Sequence, residues 1–439
     1  MKKTTIAPVK TILGLPLNII WGYIAIIFFM TGDGFELAFL SHYVTSLGHS
    51  ATQSSFIFTV YGLVAALAAW SSGVVAEIFT PQRTMRYVFL GWIVFHISFL
   101  YFGLKLNNYY CMVLFYGLRG MAYPLFLYSF VVVIVNNVNE RQVSSALGWF
   151  WTVYSIGIGV LGAYIPSYTI PLVGEYLTLW GSLAFIVLGG LIAMFKLKHI
   201  RVTDTSHLST KEKISELSQA VLLLKNPQIC YAALIRIINT LSLFGFAVIM
   251  PLMFVDELNF TTSEWLQIWS AFFFTTVFSN VFWGIMGEII GWMTVVRWCG
   301  CMGMAFSSLL FYYMPQYFGH NFYLALIPAI VMGFFIGCFV SVTAMMTTLE
   351  PNHKGAAVSV YNLSAGLSNF VAPALAVIFL PIGGVKLVVL VYTALYLFAF
   401  VLTFMLKVKQ EGFNRHLILG AVKEKSQEAK AYNKEAIIN

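Results

Sequence analysis

GVVAEIFTPQRTMR, residues 73–86, recurs in outline as GIMGEIIGWMTVVR, residues 284–297. Each copy opens on a glycine (Gly73, Gly284), carries a glutamate four residues on (Glu77, Glu288) and closes on an arginine (Arg86, Arg297), with 211 residues between matched positions. Arg83 adds a second cation to the first copy, and Gly291 stands where that copy has Thr80. The same offset sets Gly34 on Gly245 and Leu47 on Leu258, so the repetition reaches outward into the preceding apolar segments. One such stretch would read as a solvated loop with incidental charges. Two at a fixed offset mark a duplicated unit. Glycine lets two helices approach closely, and an acid at a helix end with an arginine a few residues on predicts a charge-assisted contact between halves.

What surrounds these loops is almost entirely apolar. Of 439 residues, 59% are hydrophobic and 10% are charged, against roughly 25% charged in soluble domains. A chain this long with so few charges cannot cover its surface in water; its solvent is lipid. A spanning helix needs about 20 apolar residues, and breaking at polar and turn residues gives spans over 17–43, 54–79, 87–104, 109–135, 143–166 and 177–195. Six more follow over 229–255, 264–287, 295–314, 322–347, 355–380 and 385–406. The expectation is an all-α membrane protein of twelve helices in two six-helix halves, 1–195 and 229–406. A polar linker (196–228) separates them and a charged tail (407–439) follows. Within the linker, Ser209-Thr210-Lys211-Glu212 has the form of a capping box and predicts a short amphipathic surface helix running to Leu224.

The net charge of +8 does not point to nucleic acid. Of 25 Lys and Arg, 22 fall in segments that a twelve-span chain places on one side. These are the N-terminus, the loops at Arg83/Arg86, Arg141, Arg297 and Lys354, the region from Lys196 to Arg236, and the tail. Lys105 and Lys386 fall on the other side and Arg119 in mid-span. Cationic loops stay in the cytoplasm, which predicts that both termini and the linker lie inside. The first apolar run, from Leu17, is long and lacks a cleavage site, so it reads as a mature span. Cys299-Gly-Cys301 has no His or further Cys nearby, and all five cysteines read as packing residues.

Charges inside spans are functional candidates because burial in hydrocarbon is costly. Asp33 and Glu36 stand three apart, on one face of a continuous first helix. Asp33 lies about ten residues from Tyr43 and Arg119 about ten from Tyr109, so both are roughly 15 Å deep. Equal depth permits an ion pair between Asp33 and Arg119 where their two helices face each other. At the 211-residue offset Asp33 and Glu36 face Phe244 and Ala247, so the charges belong to one half only, as an ion-coupling site requires and a static brace does not. His96, in the third span, reads as a packing residue.

The duplicated glutamate loops resemble the loop signature of the major facilitator superfamily, with Glu in place of the usual Asp and Pro81-Gln82 in place of the usual basic pair. Over about residues 13–412 the chain is similar to bacterial polyol permeases of the ribitol and arabinitol transporter type. The stretches that carry the resemblance are GLPLNIIWGYIAIIFFMTGDGFELAFLSHYV from Gly14, FYGLRGMAYPLFLYSF from Phe115, SSALGWFWTVYSIGIGV from Ser144, RIINTLSLFGFAVIMP from Arg236 and EPNHKGAAVSVYNLSAGLSNF from Glu350. The resemblance implies proton-coupled uptake of a pentitol, with the first and fourth helices facing across a central cavity. A polyol offers hydroxyls and a C–H face, so its site should combine hydrogen-bonding groups with aromatic platforms. The candidates are Tyr123, Trp149, Trp151 and Tyr154 in the first half, and Asn239, Thr240, Gln267, Trp269, Tyr361 and Asn362 in the second.

No phosphate-cradling glycine loop, HExxH or CxxC pair occurs, which argues against a primary pump and a membrane enzyme. The expected partners are a small neutral polyol, protons and the bilayer, for a monomer with no cofactor, no metal and no nucleic acid. An uncoupled facilitator, or an exporter of a related solute, is the alternative within transport. Gly157-Ile-Gly159-Val-Leu-Gly162 lacks the Gly-Pro pairing of superfamily antiporters. A non-transporting sensor of the same fold is the alternative of another class.

Overall fold

A computed structural model describes residues 10–12, 15–138, 142–200, 221–350 and 354–410. Backbone polar groups have no water to bond inside lipid, so spanning segments close their hydrogen bonds internally as helices. Among the described residues, ten helices are long and apolar enough to cross a membrane. Two of them, Ser145–Lys196 and Ala356–Met405, are interrupted by non-helical backbone at Gly174 and at Gly383 and Gly384. Each is therefore two spans, and the described residues hold twelve. They are α1 (17–46), α2 (Ala51–Phe79), α3 (Pro81–Lys105), α4 (Tyr109–Asn137), α5 (143–173) and α6 (175–196), then α7 (Pro227–Glu257), α8 (Thr262–Ile290), α9 (Trp292–Phe318), α10 (322–349), α11 (354–382) and α12 (385–405). A two-residue hairpin, Thr11–Ile12 on Leu15–Pro16, precedes α1.

The duplication seen in the sequence is a duplication of helix ends. Ser50 caps α2 in a reciprocal box with Gln53, and 211 residues later Thr261 caps α8 in the same way with Glu264. Left-handed residues lead into both caps, Gly48 (φ 94°) and Asn259 (φ 59°), and others terminate the helices, Thr80 (φ 69°) and Gly291 (φ 95°). Thr80 holds a conformation that β-branched residues rarely adopt; Gly291 holds it freely.

Four spans are broken near their middle: α1 by a turn over 35–39, α4 by one at 120–121, α7 at Thr240, and α10 by a tighter 3-10 segment, Gly337–Ser341. They are the first and fourth helices of each half. Non-helical backbone at membrane depth persists where protein or a cavity surrounds it. The uninterrupted first helix expected over 17–43 is thus two segments.

The halves meet along two helix pairs. In α2 against α11, a Cβ on Gly62 would strike the Asn369 carbonyl, so only glycine admits the contact. In α5 against α8 the roles reverse: the Phe273 ring, at the repeat position of Gly62, lies over Gly159. Ser270 Oγ donates to the Val160 carbonyl at 3.1 Å beside it. On the face away from residues 10 and 410, His42 Nδ1 lies 2.9 Å from Asp256 Oδ1, and Thr262 Oγ1 donates to Glu175 at 3.2 Å. The Trp265 indole donates to the Ala38 carbonyl nearby. Large side chains such as Phe195, Phe278 and Ile382 point outward, more than half exposed, where lipid would cover them.

Of the linker helix expected over 209–224, residues 209–220 lie outside the described residues and 221–223 are helical; the tail from 411 also lies outside them.

Candidate functional site

The breaks in α1 and α4 create the site. The first segment of α1 ends at Gly34, which leaves Asp33 in its last turn and Glu36 in the turn that follows. The first segment of α4 ends at Arg119, where carbonyls without helical partners favour a cation. All three side chains are buried.

Arg119 pairs with Glu36, through Nη2 and Oε1, and not with Asp33, the pairing that equal depth permitted. The reason is the turn at 35–39. It takes Glu36 off the helical face it would share with Asp33 and turns it to the guanidinium. Arg119 Nη1 also reaches His96 Nδ1 at 2.5 Å. Arginine has only donors, so that nitrogen accepts and Nε2 carries the imidazole proton. Nε2 in turn donates to the Leu179 carbonyl at 3.1 Å and to Ser182 Oγ at 3.0 Å. His96 is therefore part of the charged cluster, where the sequence suggested packing. The guanidinium carbon lies 4.6 Å from the Tyr116 ring centre and 4.9 Å from that of Trp92, close enough for cation–π attraction.

Asp33 has neutral direct partners. The Trp92 indole donates to Oδ1 at 2.7 Å, and the Tyr61 hydroxyl stands 3.5 Å from Oδ2. One carboxylate of the pair is thus neutralised by a guanidinium and the other is held by two uncharged donors.

Both carboxylates line a cavity between the halves. The first half contributes Tyr61, Tyr116, Tyr123 and Tyr154 to its wall, together with Leu37, Phe58 and Ile158. From the second half come Phe244, Val248, Asn369 and Pro373. Phe244 is the repeat partner of Asp33, so the two equivalent positions face one space with opposite chemistry. Asn369 Nδ2 donates to the Tyr123 hydroxyl at 2.6 Å and bridges the halves.

Of the residues expected from sequence, the cavity gathers Asp33, Glu36, Tyr123 and Tyr154. Trp149, Gln267 and Asn362 are half-buried outside its lining, and Trp151 is 38% exposed. Trp269 is buried against Trp265 and Phe272, away from the lining. Asn239, Thr240 and Tyr361 instead surround Arg236, which charge counting had put among the cytoplasmic residues. It lies inside α7 and is buried. The sequence carried a signal for it, since Arg236 interrupts an apolar run that begins at Ile229. Tyr61, Tyr116 and Asn369 were missed because nothing local separates them from the other polar residues in spans.

The repeated loops also differ from expectation. A Cβ on Gly73 or Gly284 would meet nothing within 4 Å, so neither serves close packing. Glu288 accepts from the Trp292 indole at 3.0 Å and from Gln410 at 3.4 Å. Arg297 turns instead to α12, donating to Thr403 Oγ1 at 2.9 Å and its carbonyl at 2.8 Å. The expected Glu–Arg bridge between halves is absent in the second copy because both groups find partners within their own half. Arg83 and Arg86 are exposed, and the side chain of Glu77 lies outside the described residues.

The family profile described as Major Facilitator Superfamily matches residues 22–266 and 232–426. The chain belongs to the major facilitator superfamily. Its superfamily relatives include a D-arabinitol transporter of Klebsiella pneumoniae, 63% identical over 407 residues, which cover 92% of this chain and 96% of that one. A ribitol transporter of the same organism is 62% identical over 402 residues, 91% of this chain and 94% of that one. The fold is similar to the crystal structure of a point mutant of the nucleoside transporter NupG, with a TM-score of 0.71 at 13% identity, covering 89% of this chain and 99% of that one. This superfamily member is a multi-pass membrane transporter and not an enzyme.

Proposed function

We propose that the protein carries a pentitol, ribitol or arabinitol, into the cell together with protons, by alternating access. The observation that carries the reading is the cavity itself, with two carboxylates on one wall and tyrosine hydroxyls and Asn369 around it. Hydroxyl and amide groups recognise a neutral polyol without needing a charge on it. Its similarity to two pentitol transporters supports the same class of solute.

In this reading Asp33 carries the proton. Glu36 is committed to Arg119, while Asp33 has only Trp92 and Tyr61 in direct contact, and Asp33 and Tyr61 both line the cavity. Tyr61, Tyr123, Tyr154 and Asn369 take the solute. The halves rock about the α2–α11 and α5–α8 seams, and the His42–Asp256 and Glu175–Thr262 contacts close the outer face, with both termini in the cytoplasm. The duplicated loops, Gly73 to Arg86 and Gly284 to Arg297, bias the same exchange by tying helix ends together. The protein works as a monomer in the inner membrane.

Labelled ribitol and D-arabinitol uptake into vesicles, with an inward proton gradient and with a protonophore, tests the proposal. Accumulation above the outside concentration that collapses with the protonophore is expected. Equilibration without accumulation, unaffected by the gradient, would identify an uncoupled facilitator.

A further inference from the structure

The second half holds a buried cation that the proton site does not use. Arg236 is 9% exposed, ten residues into α7 and one turn before its break at Thr240. Nη1 donates to Asn239 Oδ1 at 3.1 Å and Thr240 Oγ1 at 3.3 Å. The Tyr361 ring lies 4.8 Å from the guanidinium carbon. Among the described residues no carboxylate pairs with it, and its buried Nε–H has no acceptor. Arg119, the buried cation of the other half, has a carboxylate.

A structural role at the break in α7 accounts for only part of this. Nη1 alone serves Asn239 and Thr240, and a single NH2 group would do as much. The rest of the guanidinium is a planar fork of donors with its Nε–H unpaired, and such a fork fits two oxygens on adjacent atoms. It also stands beside the transport space. Ser368 Oγ donates to the Arg236 carbonyl at 3.4 Å, one residue before Asn369 of the cavity wall. Tyr123 and Tyr154 line the cavity, and Tyr123 takes the hydrogen bond of Asn369.

Resting on the pentitol reading above, we infer that Arg236 is the oxygen-binding residue of the second half, donating from its fork to a vicinal pair of substrate hydroxyls. Tyr361 fixes the plane of the guanidinium, and Asn239 and Thr240 fix its reach. The site then reads a hydroxyl pair by geometry as well as by number, because a planar fork meets two oxygens only when both lie on its side. Arg236 is a specificity-determining residue, and the tyrosines opposite it complete the grip.

The test is equilibrium binding to the purified full-length protein by calorimetry, using ribitol, D-arabinitol and the series of singly deoxygenated pentitols. Arg236→Gln is expected to weaken the preferred pentitol by about tenfold to a hundredfold, the effect of losing a charge-assisted pair of bonds. More tellingly, the penalty for removing one of the gripped hydroxyls should fall in the variant to near nothing. Arg236→Lys keeps the charge without the fork, and should retain part of the affinity while losing the ranking among deoxy analogues. If Arg236→Gln does not fold, the ranking measured with Arg236→Lys decides. Wild-type affinity and an unchanged ranking in a folded variant would overturn the assignment and leave the pentitol reading standing. A wild-type protein that binds no pentitol would overturn both.

Discussion

Glu36→Gln isolates the buried ion pair. The substitution keeps the shape of the side chain and removes its charge, leaving Arg119 without a direct anionic partner at zero exposure. Breaking a buried pair from one side costs about 3–5 kcal/mol. Part is recovered, since the Gln oxygen still accepts from Nη2, though a neutral acceptor is worth about half a charged one. The bond to His96 and the ring faces of Tyr116 and Trp92 are the same in both proteins and cancel. A net loss of about 3 kcal/mol remains, which for a chain this long is a fall of about 3 °C in melting temperature. Thermal unfolding in detergent, followed by size-exclusion fluorescence, measures it. The decisive arm is the double variant Glu36→Gln with Arg119→Met. Replacing both charges by uncharged groups of similar volume costs little, because the desolvation of two ions is relieved together. The double variant should therefore melt above the single one. An unchanged melting temperature in Glu36→Gln, or a double variant no better than the single, would refute the pairing.

Asp33→Asn should abolish accumulation against a gradient while leaving exchange of polyol down its gradient, measured in the same vesicles; accumulation that persists would make Asp33 structural. Gly62→Ala places a methyl against the Asn369 carbonyl, so it should cost about 1–3 kcal/mol of helix packing and slow turnover with affinity within a fewfold. A variant with normal turnover would remove α2–α11 from the moving seam. Glu288→Gln weakens the tie between the end of α8 and residue 410, and should slow turnover without changing pentitol binding. A reporter active only in the cytoplasm, fused to the C-terminus, should be active; a silent reporter at full expression contradicts the orientation.

The architecture was legible because its signals are local. Apolar run lengths and the caps at Ser50 and Thr261 act within a few residues, so repetition in the sequence became repetition in the fold. The site was only partly legible because its signals are not local. Asp33, Glu36 and Arg119 were identifiable as costly charges in apolar runs, but their pairing depended on a turn over 35–39 that nothing in Phe35-Glu36-Leu37-Ala38-Phe39 announces. Arg236 was misplaced by its nearness to a polar linker, although four apolar residues separate Tyr231 from it. Tyr61 and Asn369 acquire meaning from neighbours on other helices. Which of the 23 tyrosines faces the cavity is a property of packing and has no sequence period of its own.

The distance in sequence between Glu36 and Arg119, 83 residues, has a consequence for biogenesis. The chain emerges from the ribosome in order, so α1 arrives at the membrane with two carboxylates well before α4 exists to meet them. A lone acidic residue at the centre of a span costs about 2.5–3.5 kcal/mol at insertion. The window Leu17–Gly34 has a mean hydropathy of 1.4, against 2.5 for the final one, Ala356–Met405. The first span therefore enters lipid at a cost that is offset only once the fourth span supplies Arg119. Glu36→Gln then acts with opposite signs at two stages, easing entry of α1 into lipid and weakening the finished bundle. Loss of Arg119 leaves Glu36 buried without its cation, so the amount of folded protein in the membrane is expected to fall and can be measured before any transport.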